Sequence, residues 1–342
     1  MERRMLTERR SEILRNLILE YVSTATPVSS GSLSRNYGIK TSSATVRNEL
    51  VQLEEEGYIM QPHTSAGRVP SAKGYRYYVE TLLEKQDLTQ DEQRLIRHQF
   101  YQIHKGIDDL VHLSATILSR MLHNVAIVTA PQLSAPKIRM ISLLSLKEAS
   151  ALLTIVFHDA GFKQQTVTFD EPLSQEDLNI ISAKLTDYYE GLTGGEIRDR
   201  ENKLSSNEEQ VVKAILETID TEGKRVIEDP HYDGLSHIMA QPEFVKGGRA
   251  RILMELLEER AFLSSILAQA PEDEKLRVII GSENPESVLH DFSIVLSRYG
   301  LPDQASGVVG IVGPTRMAYG KTLPAVRFLS EIMGELLYEM YE

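Results

Sequence analysis

Apolar positions recur along this chain at two different periods, and the switches between them mark out its elements. Residues 7–24 carry Ile13, Leu14, Leu17, Ile18, Tyr21 and Val22 on one helical stripe. Thr7 is placed to cap that helix, and Thr26-Pro27 to end it. "SSGSLSRNYG" predicts a short second helix, capped by Ser29 or Ser30 and stopped at Gly38. A third helix starts at Ser42 or Ser43, buries Val46, Leu50 and Leu53, and closes at Gly57. Tyr58, Ile59 and Met60 then read as a strand, residues 63–67 as a turn, and Arg68-Val69-Pro70 as the return. Three helices followed by a hairpin is the order of a winged helix-turn-helix.

The pattern beyond residue 86 predicts α+β units. A single amphipathic helix is expected over 91–122, with Leu95, Phe100, Ile107, Leu110, Leu113 and Met121 on its stripe. "NVAIVTAP" reads as a buried strand. Three β-rich runs follow from "IRMISLLSL" through "ALLTIVFHDAGFKQQTVTF", joined by turns at Lys147-Glu148 and Asp159-Ala160-Gly161. Helices are expected at 175–190 and 207–222, with "TGGEIRDRENKLSSNE" between them as a loop. "EGKRVIEDPHYDG" is a polar break before "LSHIMAQPEF" and the helix "RILMELLEERAFLSSILAQ". "LRVIIGSEN", "FSIVLSRYG" and "GVVGIVGP" are late strands, and a last helix runs from about Leu323 to Met340. Two β-rich blocks separated by helices imply two α+β units; the sequence leaves open whether one is inserted in the other.

Composition narrows the function classes. The 342 residues are 42% hydrophobic and 25% charged, an ordinary globular mix with material for two or three domains. No apolar run approaches the ~20 residues of a membrane helix, and no apolar leader core follows the charged N-terminus. Zero cysteines exclude disulfides, thiolate catalysis and cysteine metal sites, and fit a cytoplasmic protein. The net charge of −12 argues against a nucleic-acid binder until its distribution is considered. Residues 1–86 hold 12 Lys and Arg against 10 Asp and Glu, or +2, whereas the rest holds 25 against 39, or −14. The N-terminal segment alone escapes the acidity, as contact with phosphate would require.

The stretch "TSSATVRNELVQLEEEGYI" sharpens this reading. Its helix starts with small uncharged residues, carries Arg47 and Asn48 on its first turns, and holds its glutamates at the far end. A recognition helix presents its N-terminal residues to base edges in the major groove. Arg pairs bidentately with guanine and Asn with adenine, each worth roughly 1–3 kcal/mol of discrimination. Glutamates would be repelled by phosphates, so they belong at the outer end, although the helix dipole disfavours them there. The candidate DNA contacts are Ser42, Ser43, Ala44, Thr45, Arg47 and Asn48 on the helix, and His63, Thr64, Ser65 and Arg68 on the turn. A three-helix interaction module that touches no DNA is the competing reading.

Catalytic chemistry finds little support. "YGKT" at 319–322 has the end of a phosphate-binding loop, but six residues separate Gly313 from Gly320 where the cradle needs four. His231 and His237 are six apart, off the i, i+4 face of a helical metal pair. His158-Asp159 is most simply a hairpin turn, and the acidic runs at 54–56 and 272–274 are solvated faces. No metal, cofactor or catalytic set is expected.

"SSATVRNELVQLEEEGYIMQPHTSAGRVPSAKGYRYYVE" resembles the signature of the bacterial heat-inducible transcription repressors, the HrcA family, and "GVVGIVGPTRMAY" is similar to that family's C-terminal motif. The resemblance runs from the first helix to the last. It implies a homodimeric repressor that binds an inverted-repeat operator upstream of chaperone operons, releases it under heat stress, and depends on the GroE chaperonin for its active form. It further implies a winged-helix domain at 1–86, a GAF-like domain at 87–136 and 228–342, and an inserted dimerisation domain at 137–227. A GAF-like domain often holds a small ligand, so a metabolite-sensing regulator is the alternative; no convergent polar set among the late strands favours it.

Overall fold

The computed structural model describes residues 6–37, 42–63, 66–83, 87–101, 106–133, 137–147, 149–158, 162–200, 203–224, 230–245, 249–271, 276–300 and 305–341. The chain opens with α1 (Glu8–Thr24), α2 (Ser30–Asn36) and α3 (Ser43–Glu55), followed by β1 (Ile59–Met60) and β2 (Val69–Pro70). Each helix begins where a hydroxyl accepts the orphan N–H of its first turn: Thr7 from Arg10, Ser29 from Ser32, Ser42 from Thr45. The expected stripes meet in one core, where Ile13, Leu14, Leu17, Ile18, Leu33, Val46, Leu50 and Leu53 are all fully buried. Ile59 lies opposite Pro70 and Met60 opposite Val69 in an antiparallel pair. The return strand is lengthened by Val28, which exchanges backbone hydrogen bonds of 2.9 and 2.8 Å with Arg68. The hairpin is thereby tied to the α1–α2 linker.

Immediately after the hairpin, α4 (Ala72–Tyr77) runs on into a π-helical turn at Tyr78–Leu82. Gly74 lets it close on the hairpin, because a Cβ there would lie 2.1 Å from the Tyr58 carbonyl oxygen.

The elements that follow are α5 (Gln90–Tyr101), α6 (Ile107–Leu122), β3 (Val125–Val128) and β4 (Gln132–Leu133). Then come β5 (Ile138–Lys147), β6 (Ser150–Phe157), β7 (Phe162–Thr168), α7 (Gln175–Tyr189), α8 (Gly194–Asp199), α9 (Ser206–Lys224) and β8 (His231–Asp233). Four helices, α10 (Leu235–Met239), α11 (Pro242–Val245), α12 (Arg249–Glu258) and α13 (Arg260–Leu267), precede β9 (Arg277–Ile280), β10 (Phe292–Gly300), β11 (Ala305–Pro314) and α14 (Tyr319–Tyr341). The result is a mixed α/β molecule in two compact units. One unit comprises Met1–Ala130, Asp229–Tyr299 and Val308–Met333; the other comprises Pro131–Glu228, Gly300–Gly307 and Gly334–Glu342.

In the first unit the strand order is β8-β3-β11-β10-β9; in the second, β4 pairs with Ala305 and Ser306 at the start of β11. Every residue of β3 is buried, which is why its sequence is a continuous apolar run rather than an alternating one. In the second unit β5, β6 and β7 form an antiparallel meander. Ala151, Leu153, Ile155 and Phe157 alternate inward and pack on Leu178, Leu185 and Tyr189 of α7 and Val211 and Ile215 of α9. The opposite face carries Met140, Leu144 and Phe162, all exposed, beside half-buried Leu152 and Val156.

Five sequence expectations are corrected. The single helix over 91–122 is two, because Gly106 is extended (φ −100°, ψ 138°) and acts as the N-cap of α6. Leu95, expected on the buried stripe, is 61% exposed; its neighbour Ile96 is buried instead. The loop expected at 193–208 contains α8, nucleated by a reciprocal capping box between Thr193 and Glu196. The polar break before Leu235 contains β8, whose backbone pairs with β3 at Ala126, Ile127 and Val128. The helix expected from Arg251 to Gln269 is likewise split, into α12 and α13. The turn residues Glu148, Asp159, Ala160 and Gly161, and the stop at Gly38, lie outside the described residues.

Gly74→Ala should force α4 off the hairpin and destabilise the first unit by roughly 1–3 kcal/mol, as overpacking does. Urea unfolding of the variant against the parent protein measures this.

Candidate nucleic-acid interface

Helix α3 can bury only one stripe, and Val46, Leu50 and Leu53 fill it. The remaining positions of its first two turns are thereby turned outward. Ser42, Ser43, Ala44, Arg47 and Asn48 are exposed, and Thr45 is half-buried. The Ser42 and Thr45 hydroxyls lie 3.0 Å apart, so both serve the helix start. Arg47 makes no ion pair with any described residue. Its fork and the Asn48 amide stand on adjacent positions of one outward face, suited to bidentate contact with base edges.

The acidic end of α3 is laced to its neighbours. Arg10 of α1 donates from Nε to Glu49 and from Nη1 to Glu56, both at 2.8 Å. The Glu49 hydrogen bond, chiefly, holds the Arg10 guanidinium more firmly in its charged form, against the cost of burial. Lys73 of α4 donates to the Glu56 carbonyl at 2.7 Å, placing a cation at the helix C-terminus and offsetting the unfavourable dipole there. The glutamates at 54–56 were expected to form a solvated face. Glu55 and Glu56 are exposed and Glu54 is half-buried; Glu55 accepts from Gln52 of its own helix. Glu54 and Glu56 bind the hairpin return and α1.

The hairpin residues separate into two groups. His63 is exposed in the turn, which its carbonyl closes by accepting from the Ala66 N–H at 2.9 Å. Thr64 and Ser65 lie outside the described residues. Arg68 points to α3 instead of outward: its Nε meets Glu54 at 3.0 Å, and its side chain is only 15% exposed. The sequence carried no sign of the Arg10–Glu49, Arg10–Glu56 and Arg68–Glu54 pairs. Their partners are 39, 46 and 14 residues apart, brought together only by packing.

Other candidate chemistries do not converge. His231 faces His112 with ring centroids 3.6 Å apart, and His237 faces His123 at 5.2 Å. These are two separate pairs, and burial followed by the His112 charge lowers the His231 pKa. Among the described residues no three metal-type side chains gather, and no helix is long and apolar enough to cross a membrane. A cleft of about 190 Å³ is edged by Val22, Asn124, Gln241, Arg316 and Met317. It is smaller than the roughly 300–1,000 Å³ of a typical ligand site. Its polar edge is internally bonded: Gln241 donates to Asn124 at 3.1 Å and accepts from Arg316 at 3.2 Å.

The family model for the HrcA protein C-terminal domain matches residues 108–323. A curated "Heat-inducible transcription repressor HrcA" of Dehalococcoides mccartyi (strain ATCC BAA-2100 / JCM 16839 / KCTC 5957 / BAV1) is 40% identical, covering 98% of this chain and 97% of its own length. The chain belongs to the HrcA family. HrcA relatives under the same name from Herpetosiphon aurantiacus and Chloroflexus aurantiacus are 38% and 36% identical, again over 98% of the chain. A crystal structure of a hypothetical protein shares the fold, with a TM-score of 0.64 at 24% identity over 98% of this chain and all of that one.

The two groups of interface residues should respond differently to truncation. Arg47→Ala with Asn48→Ala should leave stability within about 0.5 kcal/mol, since both side chains are exposed. Arg68→Ala should cost about 1–3 kcal/mol by stranding the Glu54 carboxylate. Thermal unfolding of the two variants, side by side, checks the contrast.

Proposed function

We propose that this chain is a heat-shock transcription repressor that binds an inverted-repeat operator as a homodimer and releases it on heat stress. The observation that carries the reading is the outward face at the start of α3, where Arg47 and Asn48 stand free of the core beside small residues. Residues 1–86 act as a winged helix-turn-helix, with α3 in the major groove and the hairpin turn, through His63, Thr64 and Ser65, at the phosphates. Residues 87–136 and 228–342 form the GAF-like body, and 137–227 the inserted dimerisation domain. The family membership supports this, because full-length relatives carry the name of heat-inducible transcription repressors.

Dimerisation is assigned to the open face of the β5–β6–β7 meander. Met140 lies opposite Val156, which lies opposite Phe162; Leu144 lies opposite Leu152. These apolar positions would be covered by the same face of a second copy, as a two-fold axis requires. A single head retains only weak, mostly electrostatic affinity. Tethering two heads raises it by a factor of ~10²–10⁴. Warming that loosens the body or the dimer therefore empties the operator, and marginal stability serves as the sensor. The GroE chaperonin is the partner that would restore the loosened form. The metabolite-sensing alternative is less favoured, since the cleft edged by Arg316 is small and internally bonded.

Gel shifts on the native promoter region test this directly. Arg47→Ala and Asn48→Ala together should weaken specific binding about 10- to 100-fold, the worth of one bidentate contact or more, with dimerisation unchanged in sedimentation. If affinity is unaltered, α3 is not the reading helix. Leu144→Glu should yield monomers that keep half-site binding and lose the ~10²–10⁴-fold gain from pairing. Binding that persists well above the stress temperature, in a folded dimer, would refute the heat-release step.

A further inference from the structure

Two guanidinium groups join the N-terminal head to the β-sheet of the same compact unit. Arg76, on α4, donates from Nε to Glu283 at 2.8 Å and from Nη2 to both Glu283 and the Val278 carbonyl, the latter at 2.6 Å. Glu283 is already held in place, because its carboxylate accepts the Ile280 N–H at 2.8 Å across the short turn Gly281–Glu283 that follows β9. Arg316, in the β11–α14 connection, reaches the other way. It forks onto Glu243 of α11, donates from Nη2 to Gln241 Oε1 at 3.2 Å, and donates from Nη1 to the Val22 carbonyl at 3.1 Å.

The Val22 contact has a physical reason. The last carbonyls of a helix lack internal partners and favour a nearby cation. The last turn of α1 contains no basic residue. Arg316, 294 residues further along the chain, supplies the missing one. Between the two clamps, Tyr75 of α4 is buried and packs at a tilt against Tyr319 of α14, with ring centroids 5.8 Å apart. Gly281, beside Ala72 at this seam, takes a left-handed conformation with φ 52°, which glycine adopts without strain.

Both clamps are planar forks with at least two acceptors each, and so fix direction as well as distance. They grip opposite ends of the head: α1 at its C-terminus and α4 behind the hairpin. We propose that Arg76 and Arg316 are positioning residues for DNA recognition, locking the head at one pitch on the sheet and thereby setting the half-site spacing that the dimer accepts. This rests on the DNA-binding function proposed above. A free head on a flexible joint could follow half-sites at many separations. A clamped one reaches only those in phase with it, because half-sites repeat with the helical turn.

The test combines spacing selectivity with a distance measurement that needs no DNA. The absence of native cysteines allows spin labels at Gln52→Cys on α3 and Asp109→Cys on α6 in the full-length chain. The unsubstituted clamps should give a narrow label–label distance distribution. They should also give at least a ~10-fold loss of affinity when half a helical turn, about 5 base pairs, is inserted between half-sites. Arg76→Met with Arg316→Met should broaden the distances and reduce that loss to less than ~3-fold, while affinity for a single half-site stays within ~2-fold. Arg316→Lys, which keeps the charge and loses the fork, should fall between the two and covers the case of a double variant that does not fold. Narrow distances with spacing preference intact would overturn the proposal, as would a fall in half-site affinity with spacing preference retained. Distances that broaden in a protein whose parent binds no operator would uphold the clamps and remove the DNA reading instead.

Discussion

The N-terminal head depends on a limit of helical geometry: α3 has one buried stripe, and three residues fill it. With Val46, Leu50 and Leu53 sealed against α1 and α2, the orientation of every other side chain on α3 is decided. Arg47 and Asn48 are outside for the same reason that Leu50 is inside. The ion pairs then determine which end of α3 is free. Arg10, Lys73 and Arg68 engage its C-terminal half, so its N-terminal half is the part left open to a partner.

That division resolves the odd charge distribution of the helix. Acidic residues at a helix C-terminus are unfavourable in isolation. Here each of two finds a cation from another element, and a lysine meets the terminal carbonyl. The isolated exposed pair contributes little in general; two cross-linked networks around a small core restrict how α1, α3 and the hairpin can shift. The glutamates thus hold the head together; in the proposed DNA-bound arrangement they would also keep phosphate from that end of α3.

Much of this was legible in the sequence, for identifiable reasons. Caps at Thr7, Ser29 and Ser42 and the stripes they introduce are local signals, and they stand where periodicity put them. The Thr193–Glu196 capping box was equally readable, yet the glycines around it made the segment look like a loop. The strand β8 was not readable: its residues His231, Tyr232 and Asp233 are polar, and only pairing with β3 makes them a strand. Gly106 shows the reverse failure, where an apolar period carried the reading through a residue that ends the helix. The Arg68–Glu54 pair was not readable, because the type of a side chain is visible in the sequence and its partner is not.

The clamps at Arg76 and Arg316 share a property with a consequence for how such seams change over evolutionary time. Each grips a main-chain oxygen, of Val278 or of Val22, on the far side of the seam. A carbonyl persists whatever side chain the residue bears, so those two positions are free to drift without loosening the joint. Covariation between paired columns of an alignment would register the carboxylate halves of these contacts and overlook the backbone halves.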